Sequence, residues 1–131
     1  MHTNTTNKII YPELSYALTG VSFSVHNQLG RFSRERQYGD AVEAKLKELK
    51  IPYEREYNVK GSGNIIDFLV DSKIVMELKA KPVVSRDDYY QVQRYLQTLN
   101  LKLGIIVNFQ NRYIKPTRVV RIDTPSKARF V

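Results

Sequence analysis

The 131-residue sequence contains no cysteine, which excludes disulfide bonds, cysteine-ligated zinc, iron–sulfur clusters and a thiol nucleophile. It also has no apolar run near the ~20 residues that a membrane-spanning helix needs, so no membrane partner is expected. The first residues are polar and lack the apolar core of a secretory signal. These absences predict a cytoplasmic protein with one folded domain over residues 11–131, preceded by a flexible segment at residues 1–10.

Acidic residues are scarce compared with basic ones. The chain has 13 Asp and Glu against 21 Lys and Arg, which gives a net charge of +8. The excess is concentrated from Lys81 onward, where ten Lys and Arg, Lys81 included, stand against three Asp. Such an excess predicts a polyanionic partner, most simply nucleic acid, although charge that serves only solubility is the alternative. Four basic residues near the C-terminus are the candidates for phosphate contacts: Arg112, Lys115, Arg118 and Arg121.

The stretch from Ile65 to Ala80 contains two apolar runs separated by a short polar segment. Both runs are apolar on both faces, which is typical of strands within a covered sheet. Three ionisable residues interrupt them, namely Asp67, Glu77 and Lys79. An unpaired buried charge costs several kcal/mol, so three such residues in a core hairpin predict a functional site.

The register of this hairpin depends on the length of its loop. A three-residue loop pairs Val70 with Ile74 and puts Asp67 opposite Glu77, with Cβ atoms ~5 Å apart. A two-residue loop would instead pair Asp67 with Met76 and separate the carboxylates onto opposite faces. Opposed carboxylates repel each other unless a cation lies between them, and such oxygens are the usual ligands of magnesium. A structural ion pair between Glu77 and Lys79, with Asp67 at a solvated edge, is the alternative.

Two helices are predicted before this hairpin. The first begins at Tyr11-Pro12-Glu13 and ends at Gly30, and the second has Ser33 as its N-cap and runs to about Lys50. Glu35 falls in the apolar face of the second helix, so we expect it to point inward, although compensation of the helix dipole is the alternative. His26 flanks the apolar stripe of the first helix, which favours a packed or hydrogen-bonded histidine over a catalytic one.

The remaining elements alternate between strand and helix patterns. Ser85 and Asp88 resemble a capping box that opens a helix, on which Gln91 and Tyr95 share one flank. A helix between two strands predicts that the strands run parallel, joined by a right-handed crossover. The expected strands are an edge strand at 53–60, the two hairpin strands, a buried strand at 103–109 and a last strand at 119–122.

Four separated motifs resemble the PD-(D/E)XK nuclease superfamily, in particular its small GxxExxY branch. They are Val25-His26-Asn27-Gln28-Leu29-Gly30, Glu35-Arg36-Gln37-Tyr38, the Asp67 and Glu77-Leu78-Lys79 pair of strands, and Gln91 to Tyr95, followed by Gly104 to Phe109. The chain departs from the pattern at Phe32, where the branch has glycine, and at Ile66, where the superfamily has proline. Neither departure removes a residue of the site.

The resemblance implies an α/β restriction-endonuclease-like core, with a mixed central β-sheet flanked by helices. It also implies a divalent metal, Mg2+ or Mn2+. The implied ligands are Asp67, Glu77, the backbone carbonyl of Leu78, and Glu35 directly or through water. Lys79 would orient the attacking water and stabilise charge on the phosphate. Gln91, Tyr95 and His26 would support the site.

The expected function is a metal-dependent nuclease that acts on DNA more readily than on RNA. One alternative is a nucleic-acid-binding module or complex subunit that keeps the nuclease fold but has little activity alone. Another is a metal-dependent enzyme for a different phosphorylated substrate, which predicts a closed pocket instead of an open basic groove. Whether the protein forms a homodimer or binds a partner protein stays open.

Overall fold

The computed structural model describes residues 9–123, in which helices and strands form one α/β layer structure. The elements are α1 Pro12–Leu29, α2 Glu35–Glu48, β1 Tyr53–Asn58, β2 Ile65–Val70, β3 Ile74–Lys79, α3 Arg86–Leu99, β4 Leu103–Asn108 and β5 Thr117–Val120. The strands form a single sheet in the order β1-β2-β3-β4-β5. Strands β3 and β4 are parallel and the other neighbours are antiparallel. The mixed sheet and flanking helices confirm the predicted restriction-endonuclease-like core.

Each face of the sheet has its own apolar cluster. Helices α1 and α2 cover one face, and α3 covers the other. On β3, Met76 packs in the first cluster and its neighbour Val75 packs in the second. Both are fully buried, as alternation across a strand requires. Because helices cover both faces, the two hairpin strands carry apolar residues at consecutive positions.

The hairpin between β2 and β3 has the predicted three-residue loop. Val70 pairs with Ile74, and the intervening Lys73 donates its N–H to the Val70 carbonyl at 2.9 Å. Asp71 and Ser72 adopt φ angles of 52° and 53°, which reverse the chain within this short connection. The same register places Asp67 opposite Glu77, so the alternative two-residue loop is wrong.

The connection between α1 and α2 differs by one residue from the prediction. Gly30 ends α1 with a φ of 75°, as expected, but the N-cap of α2 is Arg34 instead of Ser33. The backbone N–H of Ser33 is engaged by the Tyr38 hydroxyl, which donates in turn to the Gly30 carbonyl at 2.6 Å. The Gln37 side chain then accepts the Arg34 N–H at 2.8 Å, so capping starts one residue later.

Helix α3 lies close to the sheet because β4 has a glycine beneath it. A Cβ atom at Gly104 would be only 2.5 Å from Cγ1 of Val92, so a larger residue there would displace the helix. The Gln93 side chain donates to the Val120 carbonyl at 2.8 Å and accepts the Ile122 N–H at 3.1 Å. These bonds join α3 to β5, which begins at Thr117, two residues before the predicted last strand.

The predicted flexible segment is described only at its end. Residues 1–8 lie outside the described range, but Ile10 packs against the cluster under α1 and α2. Its carbonyl accepts a hydrogen bond from Arg118 at 3.0 Å, so Ile10 belongs to the folded part. None of the helices within residues 9–123 has the length and apolarity that crossing a membrane requires.

Candidate active site

The site centres on two carboxylates where β2 and β3 stop pairing through their backbones. The last regular pair is Phe68 with Met76. At the next position the Asp67 N–H donates to Oε2 of Glu77 at 2.8 Å, and the Leu78 N–H donates to Oδ2 of Asp67 at 2.7 Å. Each carboxylate therefore replaces a backbone acceptor of the opposite strand. This exchange fixes the two acidic side chains side by side.

The strands around Asp67 do not keep the regular alternation of faces. Phe68 packs under α1 and α2 and Ile66 packs under α3, although a regular strand would put both on one face. Beside them in β1, Glu56 has a φ of 53°, in the left-handed region that non-glycine residues rarely adopt. At Glu56 and Asp67 the β1–β2 hairpin therefore twists, and its side chains change from one face of the sheet to the other.

Next to this local twist lies a cleft of about 220 Å3 between the sheet and α2. Residues from α2 and three strands line the cleft: Glu35, Arg36, Gly39, Arg55, Glu56, Asp67, Phe68 and Leu78. Sequence patterns did not identify Glu56, Arg36 or Arg55 as site residues. Strict alternation along β1 predicts only an edge strand, and a left-handed φ at a glutamate leaves no mark in the sequence.

Glu35 lies on the cleft but not as predicted. It is the first residue of α2 and is exposed, whereas the buried face of the helix begins at Tyr38. The expectation that Glu35 points inward among core residues is therefore wrong: the first three residues of α2 are exposed, and burial starts at Tyr38. Glu35 nevertheless lines the cleft with Asp67, and its negative charge adds to the larger effect of burial, which raises the pKa of Asp67 and Glu77.

Ionising both members of the acidic pair is unfavourable in the protein alone. Burial, with the charge of Asp67 next, raises the pKa of Glu77 to about 8. Burial likewise raises the pKa of Asp67, against the hydrogen bond from the Leu78 N–H. Two neighbouring carboxylates that are largely removed from water disfavour simultaneous ionisation, and a bound cation removes this cost.

Lys79 lies beside the pair, between two acidic groups. Its Nζ is 4.0 Å from Oε1 of Glu77 and 3.6 Å from Oδ1 of Asp88. Asp88 also accepts the Ser85 N–H at 2.7 Å and contacts Nζ of Lys81 at 2.5 Å. Burial alone would raise the pKa of Asp88, but the bonds from Lys81 and Ser85 lower it to about 2. Asp88, which completes the capping box of α3, thus positions Lys79. The sequence pattern did not suggest this role.

Replacing Asp88→Asn is expected to lower the melting temperature at pH 7 by about 3–5 °C, because capping boxes of this kind contribute ~1 kcal/mol. The carboxylate has a lowered pKa, so its contribution is present above pH ~4 and is lost as the pH falls through about 2. Thermal unfolding from pH 7 to pH 2 measures this. Asp87→Asn, an exposed neighbour in the same helical turn, is the control. Equal melting temperatures for the two variants at pH 7 would contradict the assignment.

Helix α3 also brings Tyr95 to the acidic pair. Tyr95 is buried, and burial, with the negative charges of Glu77 and Asp67, raises its pKa to about 12. Gln91 lies one turn earlier on the same helix and is half-buried. The predicted flank of α3 therefore faces the site through Tyr95.

His26 lies away from the acidic pair, at the loop that follows β4. Its Nε2 is 3.0 Å from the Asn111 carbonyl oxygen, and its ring stacks on Phe109 at 6.4 Å between centroids. This geometry matches the packed, hydrogen-bonded histidine that the sequence favoured.

The four predicted phosphate-binding residues do not form one surface around the site. The Arg118 guanidinium bonds to Ser15 and the Ile10 carbonyl, and Arg121 bonds to Asp123 at 3.1 Å and Asn100 at 2.8 Å. These bonds hold both side chains against the fold. Arg112 and Lys115 are exposed on the loop between β4 and β5. Contact of all four with nucleic acid stays a prediction.

The donor set fits a hard divalent cation, although within residues 9–123 three His, Asp or Glu side chains do not converge at metal-binding distance. The hydrogen bonds between the strands use one oxygen of each carboxylate, Oδ2 of Asp67 and Oε2 of Glu77. The other oxygens remain for a ligand role. Carboxylate oxygens completed by water are a common arrangement for Mg2+.

Comparison with known proteins identifies the family. A family model described as the PD-(D/E)XK nuclease superfamily matches residues 12–122, which include every helix and strand named above and the acidic pair. Neither a curated protein nor a solved structure matches the chain. Assignment to the GxxExxY branch stays a prediction. The order of elements, the paired carboxylates next to Lys79 and this match together show that the chain belongs to the PD-(D/E)XK nuclease superfamily.

Proposed function

We propose that the protein is a divalent-metal-dependent nuclease that hydrolyses phosphodiester bonds, in DNA more readily than in RNA. The observation that carries this proposal is the Asp67–Glu77 pair, held by reciprocal hydrogen bonds beside Lys79. Membership of the superfamily supports a nuclease-type function. The net charge of +8 favours a polyanionic substrate.

The residues that would hold the metal are Asp67, Glu77, the backbone carbonyl of Leu78, and Glu35 directly or through water. When bound, Mg2+ or Mn2+ generates a nucleophile from water near neutral pH and offsets the negative charge of the phosphate. Asp67 and Glu77 are already oriented for this role, because each accepts a backbone N–H from the opposite strand. Their side chains therefore need little reorganisation when a cation arrives.

Lys79 supplies fixed positive charge next to the acidic pair. Asp88 also contacts its ammonium group, at 3.6 Å. A preoriented cation of this kind stabilises the charge that develops on phosphate oxygens during hydrolysis. We expect the buried Tyr95 of α3 to support the site.

The shape of the cleft favours a large substrate over a small phosphorylated molecule. Its volume is about 220 Å3, and Glu35, Arg36 and Glu56 on its rim are exposed. Pockets that enclose small ligands are typically larger, at ~300–1,000 Å3, and bury most of the ligand. A nucleic acid strand passing over the rim needs only its scissile phosphate to enter.

The test is cleavage of labelled single-stranded, duplex and branched DNA, and of RNA, with Mg2+ or Mn2+ against EDTA. A Glu77→Gln protein, purified in parallel, controls for contaminating nucleases. We expect cleavage that needs the metal, is absent from the variant and is faster on DNA. Salt-sensitive binding without cleavage by the wild-type protein would overturn the proposal and favour a binding module or complex subunit.

A further inference from the structure

Two aromatic side chains next to the site are exposed without an apolar partner surface. Phe32 is 78% exposed in the connection between α1 and α2, and Tyr113 is 79% exposed in the loop after β4. Each ring lies beneath the guanidinium of the preceding residue. The Cζ of Arg31 is 4.9 Å from the Phe32 ring centroid, and that of Arg112 is 5.3 Å from the Tyr113 ring centroid. The two loops thus present the same arginine–aromatic unit.

Two hydrogen bonds join these loops into one surface. Nε of Arg31 donates to the Gln110 carbonyl at 2.9 Å, and Nε2 of His26 lies 3.0 Å from the Asn111 carbonyl. Arg31 and His26 come from the end of α1 and its following turn. The position of the β4–β5 loop is therefore fixed relative to that turn.

Both loops are linked to residues of the site, one along the chain and the other by hydrogen bonds. Phe32 precedes Glu35, which lines the cleft, by three residues. In the other loop, the Phe109 N–H donates to the Lys79 carbonyl at 2.9 Å. The Asn108 side chain also bonds the Lys81 backbone, at 2.8 Å to its carbonyl and 3.2 Å from its N–H. The loop that carries Tyr113 thus leaves β4 next to the end of β3, beside the Lys79 backbone.

We propose that Phe32 and Tyr113 form a stacking platform for unpaired bases that flank the scissile phosphate. This inference rests on the proposed nuclease function and narrows its substrate to strands with unpaired nucleotides. Aromatic rings stack on exposed bases of any sequence, while neighbouring arginines contribute cation–π contacts and neutralise phosphates. Bases within a duplex are already stacked on one another and do not offer their faces to the platform.

The test measures binding in EDTA, where cleavage does not interfere. Fluorescence anisotropy compares a labelled single strand with a hairpin duplex of equal length, for the wild type, Phe32→Ala, Tyr113→Ala and the double variant. We expect single-strand affinity to fall roughly tenfold for each ring and further for both, because one stacked base contributes that order of binding. Duplex affinity is expected to change less than about twofold, since the charges are unaltered.

Tyr16→Ala is the matched control. Tyr16 is 82% exposed on α1, ten residues before His26 and therefore about 15 Å from it along the helix. It should leave both affinities unchanged. Phe32→Tyr and Tyr113→Phe should keep single-strand binding, because they retain an aromatic face. Melting temperatures of all variants should stay close to that of the wild type, since both rings are exposed.

The other possible results would contradict the stacking platform alone or the nuclease function as well. If single-strand and duplex affinities fall equally, or neither falls, the platform does not exist, and these rings then serve another purpose such as a protein contact. Metal-dependent cleavage by the wild type alongside that result would leave the nuclease function standing. A wild-type protein that neither binds nor cleaves nucleic acid would overturn both proposals.

Discussion

Glu77→Gln is expected to abolish metal-dependent cleavage and, at the same time, to raise the melting temperature of the metal-free protein. The amide oxygen of glutamine still accepts the Asp67 N–H, which Glu77 accepts at 2.8 Å. The variant loses a metal ligand but also removes a buried charge beside another carboxylate. We expect cleavage to fall at least about a thousandfold, a loss comparable to removing a key stabiliser of charge in a transition state.

The gain in stability should depend on pH in a definite direction. The folded protein raises the pKa of Glu77 to about 8 from its ordinary value of 4.5. The ionised carboxylate therefore destabilises the fold in full above pH ~8, and this cost disappears as the pH falls toward ~4.5. The melting temperature of Glu77→Gln in EDTA should exceed that of the wild type by at least about 5 °C at pH 8–9, and by little at pH 4–5.

Scanning fluorimetry across this pH range provides the measurement. Glu54→Gln, at an exposed position of the edge strand, is the control and should show no such trend. A Glu77→Gln protein that melts at or below the wild-type temperature at pH 9 would mean that Glu77 is not held as an uncompensated charge. In that case burial of the pair would give a cation no electrostatic reason to bind there.

Lys79→Met is expected to reduce kcat by roughly a hundredfold or more while preserving metal binding. Methionine fills the space of the aliphatic stem but lacks the ammonium group that lies 4.0 Å from Glu77. The metal ligands keep their backbone hydrogen bonds, and loss of a nearby positive charge favours a bound cation. The loss should therefore appear in the chemical step, where Lys79 stabilises developing charge.

Titration calorimetry with Mn2+ and single-turnover cleavage separate the two effects. Lys73→Met is a suitable control, because Lys73 lies in the hairpin loop at the opposite end of β3 and pairs only weakly with Asp71 at 3.3 Å. If Lys79→Met loses Mn2+ binding together with cleavage, Lys79 would be a structural support for the pair. The contrast with Glu77→Gln, which should lose the metal itself, distinguishes the two roles.

The hairpin was predictable because its information is local. The two apolar runs predicted the strands, but the register depended on the loop length. The structure has the three-residue alternative, which pairs Val70 with Ile74 and brings Asp67 opposite Glu77. The twist of the strands at Glu56 was not predictable, because it requires a backbone φ of 53°, which glutamate usually avoids. The cleft depends on that twist, so sequence patterns identified the acidic pair but not the cleft around it.

The errors in the helices have physical causes of the same kind. Serine has a strong intrinsic preference for the N-cap, but the Tyr38 hydroxyl occupies the backbone N–H of Ser33 and moves the cap to Arg34. Likewise, helical periodicity placed Glu35 on the apolar face, but the first three residues of α2 are exposed and its buried face starts only at Tyr38. The basic residues predicted to contact phosphate were chosen from composition alone. Composition does not reveal that Arg118 bonds Ser15 across the fold.

Glu56, whose left-handed backbone lies beside the cleft, also affects whether this chain associates with other copies of itself. Strand β1 lies at the edge of the sheet, where a straight backbone would offer unpaired N–H and C=O groups to a strand of another molecule. Glu56 interrupts that row in its middle, and exposed Glu54 and Glu56 add like charges along it. The same distortion that opens the cleft beside the acidic pair thereby protects the edge against intermolecular strand pairing and the aggregation that follows from it.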